Sequence, residues 1–242
     1  SSSRLSRRRS LLEALDRQRD PFRAEAHRLL DDPRTRAAFD LSKEPAKVRE
    51  SYGLHRSGQA CLLARRLVEA GVPYVVAFYH PSIRGQDKDD STDAYGWDTH
   101  NDIFDALGTH LLPRFDRTFS ALLLDLEQRG LLDSTLVVCM GEFGRAPLVA
   151  LEKTFAGSTP GRKHWAGAYS VVFAGAGVRG GKVVGASDKR GAYVSTPPQS
   201  PADAAATMLS ALGVDPAGQF RDALDRPYPV CEGKPIRELH EG

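Results

Sequence analysis

Cysteine is scarce: Cys61, Cys139 and Cys231 are the three in the chain, far apart and odd in number. With no CxxC spacing they suggest neither a zinc ribbon nor a disulfide framework. Cys61 and Cys139 fall inside apolar periodic segments, which marks them as small core residues. An excess of one charge is also lacking. Lysine and arginine total 33 against 31 acids, a formal net charge of +2, and that balance argues for neither a nucleic-acid partner nor an acidic substrate. The one lopsided stretch holds Arg4, Arg7, Arg8 and Arg9. No apolar run follows it, so it is not a secretory signal and reads as a solvated helix start. No apolar run is long enough to span a bilayer, so no membrane span is expected. A dinucleotide fingerprint is missing too: Gly175-Ala-Gly-Val-Arg-Gly-Gly181 lacks the GxGxxG order, leaving a glycine turn. Asp87, Asp89, Asp90 and Asp93 lack the spacing and distal Glu of a calcium loop and read as a solvated acidic tip.

What is present suits one large α/β domain with an appendage, in 242 residues of which 41% are hydrophobic. Residues 1–55 read as a charged helical segment. Leu11, Leu12 and Leu15 form a one-sided stripe, and Pro21, Pro33 and Pro45 mark helix starts. In residues 56–242, Ser57 is the expected cap of a helix over 58–70 with Leu62, Leu63, Leu67 and Val68 inward, and Gly71 ends it. Val72 to Tyr79 then reads as a strand. A long amphipathic helix over 105–129, with Phe115, Phe119, Leu122, Leu123 and Leu126 inward, stops at Gly130. Two further apolar runs follow, 135–140 and 168–174. Helix, glycine, apolar strand is the crossover pattern of an α/β fold, and the expectation is a mostly parallel sheet flanked by helices. Short β segments are expected over 183–187 and 192–195, a helix over 201–212 capped by Ser200, and an irregular strap from Gly218 onward.

The chemistry-bearing residues gather at the ends of these runs. The run Thr135 to Met140 stops at Gly141, and Glu142 and Arg145 follow, where ligands bind in open α/β sheets. A surface ion pair in a turn is the alternative. The long loop from His80 closes in Gly96-Trp-Asp-Thr-His-Asn101. Asp98 and His100 could share a metal there, or Asp98 could cap the next helix and pair with His100. His164, in Gly161-Arg-Lys-His-Trp165, stands just before the third run. Asp98, His100, Glu142 and His164 are therefore the candidate ligands of a divalent metal. Zinc fits best by ligand type, with manganese or calcium as other options. Arg145 and Arg162 flank them, and a guanidinium fork suits phosphate or sulfate; a structural salt bridge is the alternative for each.

Four segments carry a resemblance over nearly the whole chain: Ser57 to Gly71, Trp97-Asp-Thr-His100, Gly141-Glu-Phe-Gly-Arg-Ala-Pro147 and Gly161-Arg-Lys-His-Trp165. The chain resembles the DUF1501 family, placed in the alkaline phosphatase/sulfatase superfamily. The resemblance implies an alkaline phosphatase-like α/β fold and a metal-dependent hydrolase of small-molecule phosphate or sulfate esters. Asp98, His100 and His164 match the first and last parts of the superfamily's ligand pattern. At the middle part, where Asp-His is expected, Glu142 is followed by Phe143, so a two-zinc centre is not implied. The superfamily's nucleophile lies in an N-terminal half that full-length members carry upstream, often behind an export signal. The expectation is a C-terminal portion lacking that nucleophile, slow or inactive on esters, with an exposed sheet edge that favours self-association. A non-catalytic ligand-binding module and a cell-surface structural module are the alternatives.

Overall fold

The computed structural model describes Arg7, Ser10 and residues 26–29, 31–79, 96–155 and 157–241. Its first half is helical. Asp32 caps α1 (Pro33–Ala38), its Oδ1 accepting from the Arg34 amide at 2.7 Å. Helix α2 (Ala46–Ser51) follows, then α3 (Arg56–Glu69). The cap of α3 is His55, whose Nδ1 accepts from the Gly58 amide at 3.1 Å, and not Ser57, which is buried inside the first turn. Gly71, at φ 92°, ends this helix. The amides of Gly71 and Val72 return to the carbonyls of Val68 and Leu67, a glycine stop of the ordinary left-handed kind.

The long helix opens with one turn, Ile103–Asp105, and a π-helical turn, Ala106–Leu111, before α4 (Leu112–Gln128). Pro113 has no amide hydrogen to close a regular turn, and the wider π turn stands directly ahead of it. Helix α4 packs on α3, with Leu62 and Leu126 fully buried between their neighbours. A chain of rings, Tyr79, Trp97, Phe115 and Phe119, joins α4 to the segment before it, with centroids 5.2–6.2 Å apart.

An arginine sits at the heart of this packing. Arg65 is 1% exposed. It pairs with Glu44 at 2.8 Å, Asp125 at 2.8 Å and Glu69 at 2.7 Å. Arg66 also pairs with Glu44 and donates to the carbonyls of Ala37 and Ala38, both at 2.7 Å. Arg129 reaches Asp125 at 2.7 Å, and Tyr52 donates its hydroxyl to Asp125 at 2.8 Å. Burial pushes the Glu44 and Asp125 carboxyls up, but the surrounding arginines, with the Tyr52 hydroxyl on Asp125, outweigh it and leave both below their ordinary values. Each charge removed from water here is met by another, which offsets the cost of its desolvation.

The second half corrects the expected architecture. No parallel sheet exists among the described residues. The strands form three small antiparallel pairs: β1 (Val137–Cys139) with β4 (Val172–Ala174), β2 (Gly144–Arg145) with β3 (His164–Trp165), and β5 (Gln219–Arg221) with β6 (Pro227–Pro229). An apolar β-branched run specifies extension; it does not specify the direction of its partner. The strand expected over Val72 to Tyr79 does not form: among the described residues these belong to no strand, and Tyr74, Val76 and Phe78 face solvent. The β segments expected over 183–187 and 192–195 reduce to one bridge, Ser187 to Val194. Helix α5 (Pro201–Ala211) opens on a capping box made by Ser200 and Asp203, and the tail after it holds the β5–β6 hairpin. No helix among the described residues is long and apolar enough to cross a membrane. The stripe of Leu11, Leu12 and Leu15, the helix start at Pro21, Arg4, Arg8 and Arg9, and the acidic tip at Asp87 to Asp93 lie outside the described residues.

Replacing Arg65 with Met removes the central cation and leaves the buried Glu44 with Arg66, and Asp125 with Arg129 and Tyr52, each short of one charge partner. Denaturant unfolding is expected to show a loss of about 3–5 kcal/mol. Because the Glu44 and Asp125 values are lowered by folding, their contribution is complete above the ordinary carboxylate range near pH 4. It disappears as pH falls through the lowered folded-state values. Melting temperatures from pH 7 to pH 3 should therefore fall steeply at the acid end, and less steeply in Glu44→Gln.

Candidate metal centre

Two stretches of backbone meet to build the site. The first is 97–101, folded by Thr99 and His100 amides onto the Trp97 and Asp98 carbonyls. The second is 160–165. Asn101 bridges to Pro160, and the Arg162 amide reaches the Thr99 carbonyl. Gly161 permits this approach, since a Cβ there would lie 2.1 Å from the His100 carbonyl oxygen. Asp102 then turns the chain into the helix at φ 53°. Its Oδ1 accepts from the Ser158 and Thr159 amides at 3.0 and 2.6 Å. From the other side, the β2–β3 pairing sets Arg145 opposite His164.

The result brings Asp98, His100 and His164 together, with one ligand atom of each inside 4.8 Å of the others. His164 Nε2 lies 2.7 Å from Asp98 Oδ1 and 3.0 Å from His100 Nε2. His100 Nε2 lies 3.2 Å from Asp98 Oδ1. The site grades from buried at His100 to open at His164, whose side chain is 44% exposed. Phe155 stacks on the His100 ring, centroids 3.8 Å apart and 6° between planes, and Phe143 lies 4.2 Å from the His164 ring. Burial pushes the Asp98 carboxyl up, and hydrogen bonds from His164 and Arg145 reverse the effect and hold it below its usual value. An N,N,O donor set of this kind suits a divalent transition metal, and three protein ligands leave coordination positions free.

The other expected residues fall around this triangle. Glu142 is exposed and is not part of the cluster. Arg145 donates Nη2 to Asp98 Oδ1 at 3.0 Å and to the Trp97 carbonyl at 2.8 Å. Arg162 points its Nη1 at the carbonyls of Ala146 and Pro147, at 2.9 and 3.1 Å. Sequence reasoning passed over Glu152, whose Oε2 lies 2.9 Å from His100 Nδ1. The Lys163 ammonium and His100 pull its carboxyl below the ordinary range. It directly follows the apolar stretch Leu148 to Leu151 in an irregular segment and carries no local signature. The two tryptophans flank the site, each beside a clustered residue: Trp97 precedes Asp98, and Trp165 follows His164 with its Nε1 on the Ala192 carbonyl at 2.5 Å.

The family model described as "Protein of unknown function (DUF1501)" matches residues 4–240. No curated protein and no solved structure matches the chain.

The closeness at Gly161 gives a steric test. Gly161→Ala is expected to lose about 1–3 kcal/mol, the usual range for overpacking, and to weaken zinc binding with it. Gly180→Ala, where a Cβ meets nothing within 4 Å, should leave both unchanged. Thermal melts with and without zinc make the comparison.

Proposed function

This chain belongs to the DUF1501 family, and on that premise we propose that it is a divalent-metal-binding domain acting on phosphate or sulfate esters. The observation that carries the reading is the triangle of Asp98 Oδ1, His100 Nε2 and His164 Nε2, with sides of 2.7, 3.0 and 3.2 Å. The donor chemistry fits a metal. Two imidazoles and a carboxylate favour zinc, with manganese next and calcium disfavoured by the nitrogen ligands. Bound there, a divalent ion supplies Lewis-acid polarisation of an ester oxygen and activation of water.

The chain's own residues do the rest. Asp98 supplies negative charge, and Arg145 holds that carboxylate in place from β2. Arg145 also puts a fixed cation beside the ligands, which favours an anionic ester over a neutral one. Exposure at His164 is the side from which a substrate would enter, while the Phe155 ring closes the side at His100. Among the described residues no serine or threonine hydroxyl bonds to Asp98, His100 or His164, so no protein nucleophile is assigned. Hydrolysis by water without a covalent intermediate is expected to be slow, below roughly 1 s⁻¹.

Purified protein dialysed against zinc and analysed for metal content is expected to hold one ion per chain, and His164→Ala to hold far less. Absence of stoichiometric metal in the folded wild-type protein removes the reading. Chromogenic phosphate and sulfate esters then decide the activity: metal-stimulated turnover lost in His164→Ala supports a hydrolase. A bound ion with no turnover identifies a module that holds the ion without catalysis.

A further inference from the structure

Glu152 does not touch Asp98 or His164, yet it grips the ring that faces them. Its Oε2 lies 2.9 Å from His100 Nδ1, and its Oε1 lies 2.8 Å from the Lys163 ammonium. The backbone of Glu152 is pinned on both sides by one side chain. Asn101 Oδ1 accepts from the Glu152 amide at 2.8 Å, and Asn101 Nδ2 donates to the Glu152 carbonyl at 2.8 Å. Asn101 is buried and follows His100 directly. The imidazole and the carboxylate are therefore held from the same point of the chain, and the Phe155 stack restrains tilting of the ring.

An ionised carboxylate offers lone pairs and no proton. The ring nitrogen facing it carries the hydrogen, so an ion drawing on this imidazole takes its lone pair from Nε2. That is the atom 3.0 Å from His164 Nε2 and 3.2 Å from Asp98 Oδ1. We propose that Glu152 is a positioning residue that fixes His100 as its Nδ1–H tautomer and thereby makes Nε2 the donor atom of the ion site. The inference rests on the metal-binding reading for its consequence, though the tautomer itself needs no ion. A carboxylate behind a ligating histidine sets ring orientation and raises ligand basicity, and losing such a partner commonly weakens metal binding about 10–100-fold.

The experiment uses the full chain with ¹⁵N-labelled histidine. In metal-free wild-type protein near neutral pH, His100 is expected to show a protonated Nδ1. In Glu152→Ala, verified as folded by its circular dichroism and melt, the two nitrogens should move toward a mixture, and zinc affinity measured by competition with a chelator should fall about 10–100-fold. Glu152→Gln keeps the shape and an acceptor oxygen, and is expected to fall between the two; it serves alone if Glu152→Ala does not fold. A folded variant with the wild-type ¹⁵N pattern, or zinc affinity within twofold of wild type, overturns the proposal. If the wild-type chain binds no zinc but its His100 pattern shifts in the variant, the tautomer role stands and the metal-binding reading is what fails.

Discussion

A guanidinium removed from water has to be met by anions, and Arg65 imposes that condition on four separate parts of the chain. Glu44 comes from the turn before α2, Glu69 from the next turn of the same helix, and Asp125 from α4, with Tyr52 tied to that last carboxylate. Two more arginines, Arg66 and Arg129, keep the acids from being in excess. Burial alone would have favoured a leucine in this place, because desolvating ions offsets much of their attraction. What the ions contribute instead is a tie between α3, α4 and the Glu44 turn, since Arg65 reaches a carboxylate in each.

The site depends on a different kind of constraint, the meeting of two irregular backbone stretches that form no regular sheet. Residues 97–101 and 160–165 touch through single bridges and amide bonds, and the side chains of Asn101 and Asp102 tie them to 152–159. Ligating groups held by loops need such ties, because a loop has no ladder of its own to define positions. Here each ligand is gripped from behind. Arg145 holds Asp98, Glu152 holds His100, and the short β2–β3 pair carries His164.

What the sequence made legible follows the reach of the interactions. The stops at Gly71 and Gly130 and the cap at Ser200 are local chemistry, readable within a few residues, and the structure places them there. Asp98, His100 and His164 were legible as a group because each lies in a short polar motif beside an apolar run. The sheet was not. The runs at 135–140 and 168–174 contain strands, but their antiparallel pairing is a tertiary choice that composition does not encode. Helical periodicity puts Arg65 on the same face as Leu62, yet an arginine reads as solvent-facing unless its partners are known, and Asp125 is distant in sequence. Glu152 is hidden for the same reason, being 52 residues from the histidine it holds.

The chain contains two tryptophans, and both stand next to residues of the triangle. The indole of Trp97 is packed among Tyr79 and Phe115 one position from Asp98, and that of Trp165 lies against Tyr193 one position from His164. No other indole dilutes their emission. The intrinsic fluorescence of this protein is thus, by the accident of where its rarest aromatic falls, an optical readout of the two loops that make the site and of little else.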